Sequence, residues 1–184
     1  MKVLELLKAS ASELRRVISL AVSSMLLAMH TVLGYFSIMI GPSIRIGFSF
    51  LAIAAAGMLY GPVVGGILGG LGDIINYILK PSGPFFPGLT ISSMLTGFIY
   101  GLAFYKKNIT IGRVFIAKLI VVIFVDLLLS TYWLTLLLGK GYMILLPARA
   151  LKSAIMLPID TIMLFIVLKQ VSIIAKRFFK PQMN

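Results

Sequence analysis

Several polar and charged residues lie inside long apolar stretches of this chain, and their spacing indicates a binding site. Asp73 is followed one helical turn later by Asn76 and Tyr77, so these side chains fall on one helix face. Arg149 and Lys152 are three residues apart and also share a face. Together they suit a ligand with hydrogen-bond donors at one end and an anionic group at the other. The alternative is that Asp73 pairs with Arg149 or Lys152 only to neutralise buried charge.

Aromatic residues form a second group with possible binding roles. Phe85 and Phe86 lie in the segment GPFFPG, whose prolines and glycines predict a rigid loop. Such a loop above a cavity could stack on a flat ligand and act as a lid. Tyr132 and Trp133 are adjacent near the end of another apolar stretch. They fit either an aromatic belt at the membrane interface or further stacking on the ligand.

Four more ionisable residues lie within apolar stretches: Lys118, Asp126, Asp160 and His30. For the first three the sequence favours a structural ion pair or a packing hydrogen bond, and a proton relay is the alternative. His30 is the only histidine of the chain. We predict that it is a buried packing residue with a satisfied hydrogen bond.

The residue types exclude several classes of chemistry. The chain has no Cys and one His, so thiolate chemistry and any site needing two imidazoles are excluded. Neither the phosphate-binding motif G-x-x-x-x-G-K-[ST] nor the nucleophile motif G-x-S-x-G occurs. We predict no metal, no cofactor and no enzymatic activity; an intramembrane aspartyl enzyme using two of Asp73, Asp126 and Asp160 is the enzymatic alternative. A passive channel would need a continuous polar stripe through several helices, and the inner halves of the apolar stretches show none.

The composition indicates a membrane protein. Of the 184 residues, 60% are hydrophobic and only 12% are charged, whereas soluble domains carry about 25% charged residues. A membrane-spanning helix needs about 20 apolar residues. The glycine-rich stretch GPVVGGILGGLGD predicts close helix packing. We expect an all-α protein, a compact bundle of six transmembrane helices in one domain (1–184), with an amphipathic segment at 1–14 and spans at about 17–40, 48–60, 63–79, 89–105, 111–138 and 146–175.

The basic residues predict the orientation of this bundle. The chain has 17 Lys and Arg residues against 5 Asp and Glu, and most of the basic residues flank the apolar stretches on the side of the termini. The positive-inside rule therefore places both termini in the cytoplasm and the loop of residues 80–88 outside. Anionic lipid explains the positive charge, so nucleic acid is not an expected partner.

Blocks of this sequence resemble a known family. The segments IRIGFSFL, AGMLYGPVVGG, PFFPGLT and STYWLTLLLGKGYMILLPARALKSAIMLPI, with Asp73 between the second and third, resemble the substrate-binding S-components of energy-coupling-factor (ECF) vitamin transporters. They look most like the folate-specific branch. The resemblance covers roughly residues 19–168 and rests on the order and spacing of all the blocks.

The resemblance implies a high-affinity folate-binding subunit of a prokaryotic cell membrane, with an S-component for another vitamin, such as pantothenate, as the alternative. It implies folate or reduced folate as ligand, and as partner a coupling module of one transmembrane subunit and two ATPases. Ser24 and Ala28 match the A-x-x-x-A-like coupling pattern of the family, with Ser in place of the first Ala. On this hypothesis the ligand contacts Arg45, Asp73, Asn76, Tyr77, Phe85, Phe86, Trp133, Arg149 and Lys152.

Overall fold

A computed structural model describes residues 3–40, 44–81, 84–139 and 141–178. Its helices are α1 (Val3–Glu13), α2 (Val17–Tyr35), α3 (Phe50–Tyr60), α4 (Pro62–Leu79), α5 (Pro87–Phe104), α6 (Ile111–Ile120), α7 (Thr131–Leu138) and α8 (Tyr142–Phe178). A π-helical segment, Val121–Ser130, joins α6 to α7. When Ile111–Leu137 is counted as one helix, five helices within the described residues are long and apolar enough to cross a membrane, and α3 is a shorter apolar helix. The predicted helical membrane fold is thus confirmed, with α3 as the short sixth helix.

One short hairpin interrupts the helical pattern. Strand β1 (Ile38–Ile40) pairs antiparallel with β2 (Ile44–Ile46), with Met39 opposite Arg45. Helix α2 therefore ends at Tyr35, before the predicted end of the first span at residue 40. The isoleucines of this segment have branched side chains that favour strands, so hydropathy alone extended the predicted helix too far.

Helices α4 and α5 pack so closely that their backbones touch at glycine residues, as the glycine-rich stretch predicts. A Cβ placed on Gly65 would lie 2.6 Å from the carbonyl oxygen of Gly97. A Cβ on Gly97 would overlap the Gly65 carbonyl oxygen, and one on Gly101 would overlap the backbone of Pro62. Such contacts exclude any side chain, and they let membrane helices gain packing energy without a hydrophobic drive.

Helix α1 is fastened to the turn between α3 and α4. The hydroxyl of Ser10, fully buried, donates to the Tyr60 carbonyl oxygen at 2.7 Å. It also accepts hydrogen bonds from the backbone N–H groups of Val63 at 3.0 Å and Val64 at 3.3 Å. Gly61, the N-cap of α4, has φ +90° and has no side chain that could accept hydrogen bonds from these N–H groups. Ser10 therefore supplies the cap of α4 from a distant part of the chain.

The turn at Gly61 and the loop after α5 lie at the same end of the bundle, because Tyr105 packs against Gly61. Lys80 lies at the opposite end, where its ammonium donates to the carbonyl oxygens of Tyr35 (3.0 Å) and Ser37 (2.9 Å). The first end is the one predicted to face the cytoplasm. In the predicted outward loop of residues 80–88, Ser82 and Gly83 lie outside the described residues.

Two single cysteines test the orientation, since the chain has no native Cys. Asn108, in the loop after α5, and Gly141, before α8, are both exposed. We expect a membrane-impermeant maleimide to label Gly141→Cys on intact cells, and to label Asn108→Cys only after the cytoplasmic face is opened. Each variant is the control of the other, and the reverse pattern would show that the bundle is inverted.

Candidate functional site

A cavity of about 570 Å³ lies between α4, α5, the π segment and α8. The mouth of the cavity is lined by Tyr77, Lys80 and Phe85, whereas its inner end is lined by the buried side chains of Tyr100, Lys118 and Asp160. Helices α4 to α8 bring residues from distant parts of the sequence into this one space. Of the residues predicted as ligand contacts, the cavity is lined by Asp73, Asn76, Tyr77, Phe85, Phe86, Arg149 and Lys152.

Asp73 bonds to a hydroxyl group, and among the described residues it forms no ion pair with the basic residues of α8. Its carboxylate accepts a hydrogen bond from the Thr90 hydroxyl at 2.8 Å. The described ion pairs are Arg16–Glu13 and Lys118–Asp160, and neither includes Asp73. The hypothesis that Asp73 only neutralises the α8 cations is therefore wrong for this structure.

Two polar residues join α2 to the wall of the cavity. Asn76 is buried and lies against Gly34 of α2, where a Cβ would overlap its amide. His30 lies against Gly72 in the same way, and its Nδ1 is 3.0 Å from the Ser49 carbonyl oxygen. The predicted packing role of His30 is confirmed. Both side chains also line the cavity, so helix packing and the site share them.

The π-helical segment positions Arg149. The wider hydrogen-bond spacing of a π-helix leaves backbone carbonyls available to side chains. The Asp126 carbonyl accepts from the Thr131 hydroxyl and from Arg149 Nη2, both at 3.1 Å. The neighbouring Leu127 carbonyl accepts from the Tyr142 hydroxyl at 3.0 Å. These bonds hold the outer part of α8 against the π segment, with the Arg149 guanidinium at the wall of the cavity.

Lys118 and Asp160 form the predicted structural ion pair, and they also line the cavity. Lys118 Nζ lies 2.9 Å from Asp160 Oδ2 and 4.0 Å from the centroid of the Phe50 ring. Both side chains are almost fully buried. The sequence favours a structural role for both residues, with a proton relay as the alternative, and it does not predict that they line the cavity; a charged residue inside the membrane is a signal for a functional site.

Some aromatic residues line the cavity, and Trp133 packs behind one of them. The rings of Phe85 and Tyr77 are 5.1 Å apart between centroids, and Phe85 is exposed. Phe86 lines the cavity and packs against Trp133 with centroids 5.6 Å apart. Trp133 itself packs against Gly88 and is not among the described lining residues, because α7 turns Leu134 and Leu137 towards the cavity instead.

The charge of the cavity also depends on basic residues outside α8. Arg45 was predicted as a ligand contact; its backbone lies in β2, but its side chain lies outside the described part of the chain. Lys80 was counted only as a topology signal, yet it lines the cavity. The described lining then contains four cationic side chains, Lys80, Lys118, Arg149 and Lys152, and three carboxylates, Asp73, Asp126 and Asp160.

A bundle of apolar helices around a cavity lined by both apolar and charged side chains is typical of a multi-pass membrane protein that binds a solute. The family model for the substrate-specific component of ECF transporters matches residues 19–168. The chain belongs to this family.

Two proteins that are similar to this chain carry the same functional name. Over 124 residues the chain is 40% identical to the "Folate transporter FolT" of Clostridium novyi, covering 67% of this chain and 72% of that protein. It is 28% identical over 144 residues to a protein of the same name from Leuconostoc mesenteroides, covering 74% and 77%.

Two solved structures share the fold. A crystal structure of FolT bound with folic acid matches with a TM-score of 0.77 and 30% identity, over 83% of this chain and 95% of that one. The S-component for biotin of an ECF-type ABC transporter matches with a TM-score of 0.66 and 26% identity, over 88% and 93%.

Proposed function

We propose that this chain is the folate-binding subunit of an ECF-type uptake transporter in a prokaryotic plasma membrane. The observation that carries the proposal is that one cavity joins Asp73, the Phe85–Phe86 loop and the pair Arg149–Lys152. Its volume of about 570 Å³ is within the range of about 300–1,000 Å³ that is usual for small-molecule sites. The names of the similar proteins support the same ligand.

The groups of the cavity match the parts of folate. The flat ring system suits the rings of Phe85 and Phe86, with Trp133 supporting Phe86 from behind. The carboxylates of the glutamate tail suit the side chains of Arg149 and Lys152. Asp73, Asn76 and Tyr77 line the same space and add polar contacts. Reduced folates have the same donor edge and the same tail, so they are ligands of the same site.

The number of cations favours folate over a vitamin with a single carboxylate. Arg149, Lys152 and Lys80 all line the cavity and give it a group of positive charges. A tail with two carboxylates compensates more of this positive charge than the single carboxylate of pantothenate does.

Extraction of the purified protein tests the ligand. We expect mass spectrometry to find a folate bound to protein isolated from cells, and calorimetry to show tight folate binding by the emptied protein. Pantothenate is the control ligand and is expected not to bind. Binding of pantothenate without folate would contradict the proposal.

The proposed transport also needs a partner, because the sequence contains no ATP-binding motif. We propose that the chain acts as one domain and delivers its ligand through a coupling module of one transmembrane subunit and two ATPases. Liposomes with this chain alone are expected neither to hydrolyse ATP nor to concentrate folate, whereas adding the module with ATP is expected to start uptake. Concentrative uptake by the chain alone, with no gradient imposed, would contradict this.

A further inference from the structure

Helix α1 has three edges of different chemistry, because its apolar and polar residues recur at helical spacing. Leu6 and Ser10 are buried against the rest of the bundle. Glu5, Lys8 and Ser12 form an exposed polar edge. The third edge is apolar and largely exposed, and we call it the apolar edge: Val3, Leu4, Leu7 and Ala11.

The apolar edge lies on the side of α1 that faces the membrane-spanning helices. Leu14 directly follows α1 and packs against a core cluster that contains Val64 and Leu68 of α4. Leu7 comes seven residues before Leu14, so it lies on nearly the same side of the helix. Leu4, about one turn nearer the N-terminus, is 64% exposed. The apolar edge therefore begins at the protein core and ends where lipid is the available apolar partner.

The end of the bundle next to α1 is strongly basic. Arg15 and Arg16, between α1 and α2, are exposed, and so are Lys106 and Lys107 after α5. Residues 104–113 contain no Asp or Glu. This is the end that the positive-inside rule places in the cytoplasm, where the leaflet is rich in anionic lipid.

Tyr105 brings the two basic segments together. It interacts electrostatically with Glu13 and Arg16, and Lys106 Nζ lies 5.3 Å from the centroid of its ring. The Glu13 carboxylate accepts a hydrogen bond from the Ser19 hydroxyl at 2.7 Å and pairs with Arg16 at 3.4 Å. One carboxylate among these basic groups leaves the contact with a net positive charge.

Exposed apolar side chains lie directly beyond the basic residues. Val17, the first residue of α2, is 80% exposed, and Ile18 and Ile111 are also exposed. A soluble anion would use only the positive charges. A phospholipid offers a phosphate to the basic residues and acyl chains to the apolar ones, so both kinds of residue favour an anionic phospholipid.

We propose that α1 anchors the cytoplasmic end of the protein to an anionic membrane surface. The apolar edge enters the boundary between headgroups and acyl chains, and Arg15, Arg16 and Lys106 bind the phosphate of an anionic phospholipid. Because Ser10 caps α4, the anchor also holds the turn between α3 and α4 at the membrane surface. This inference needs the orientation with cytoplasmic termini and goes beyond the proposed function, since no step of it involves folate.

Two single cysteines test the position of the apolar edge, since the chain has no native Cys. Leu4→Cys lies on the apolar edge and Ser12→Cys on the polar edge, and both native side chains are exposed. Each variant carries the environment-sensitive fluorophore NBD in nanodiscs of phosphatidylcholine with phosphatidylglycerol. The label at position 4 is expected to emit at shorter wavelength than the label at position 12. It is also expected to be quenched by lipid with brominated acyl chains, because its surroundings are apolar.

Native mass spectrometry of the protein in detergent tests the headgroup. We expect the protein to retain phosphatidylglycerol in preference to phosphatidylcholine. Arg15→Gln and Lys106→Gln are each expected to weaken phosphatidylglycerol binding by about fivefold, the usual effect of one basic residue near an anionic surface. Lys169→Gln is the matched control, because Lys169 is an exposed basic residue of α8, and it is expected to bind as the wild type does. Glycerol phosphate, which has no acyl chains, is expected not to compete.

Several results would overturn the anchor. A position-4 label that stays in water would show that the apolar edge does not meet lipid, and one shielded only after the coupling module is added would show that this edge binds protein. Equal losses in all three charge variants would show a general effect of charge without a site. Competition by glycerol phosphate would show a site for a soluble anion. Folate binding by the same variants is expected to stay unchanged, so none of these results bears on the proposed function.

Discussion

Replacing Ser24 and Ala28 together by Trp is expected to abolish folate uptake by the assembled transporter, while equilibrium folate binding stays within about twofold. The two residues lie four apart on α2 and both are exposed, whereas the face that α2 buries carries Ser19, Ser23 and His30. We propose that the pair of small side chains lets a helix of the coupling subunit approach closely. Two indole rings would block that approach without replacing a buried side chain.

A double Trp variant elsewhere on the lipid-facing surface is the control. Ile162 and Ile166 of α8 are also four residues apart and each is 54% exposed. Trp at both positions is expected to leave assembly, uptake and binding unchanged. Binding, pull-down of the coupling module and uptake are measured on the same preparations. If the Ser24/Ala28 variant lost folate binding together with uptake, the surface would serve the fold rather than the coupling.

Gly97→Ala is expected to destabilise the protein by about 3 kcal/mol or more, the upper part of the range for overpacking. The added Cβ overlaps the Gly65 carbonyl group, and backbone atoms cannot swing aside as the end of a side chain can. For a chain of this size, such a loss lowers the melting temperature by about 10 °C. Because α4 and α5 carry Asp73 and Tyr100, folate binding is expected to weaken as well.

Gly112→Ala is the matched control for this change. Gly112 is also helical, near the start of α6, but a Cβ there has no described neighbour within 4 Å. Alanine is the better helix former, so this variant is expected to melt at the wild-type temperature or slightly above it. Equal melting temperatures for the two variants in detergent would show that the α4–α5 contact tolerates a methyl group.

Local spacing was enough to predict much of the candidate site. Asp73, Asn76 and Tyr77 share a face because of helical periodicity alone, and so do Arg149 and Lys152. Apolar run length located the helices, and the glycines of the third run predicted close packing. Each of these inferences depends on residues that are neighbours in the sequence.

Patterns among neighbouring residues do not predict contacts between helices that are far apart in the sequence. No local pattern showed that Lys118 would form an ion pair with Asp160, or that this pair would line the inner end of the cavity. Trp133 packs against Phe86 and is not among the described lining residues, and this contact between α7 and the loop before α5 has no local signal in the sequence. The hairpin escaped prediction because its isoleucines have the same hydropathy as the helix before them.

The cap that Ser10 provides for α4 sets a condition on the order of biosynthesis. Val64, which donates to the Ser10 hydroxyl, follows it by 54 residues. Until the ribosome has added those residues, α1 has no turn to bind, although it is made before α2, α3 and α4. Helix α1 therefore reaches its native contacts only after helices that are translated later, and α2 and α3 must enter the bilayer before it can dock.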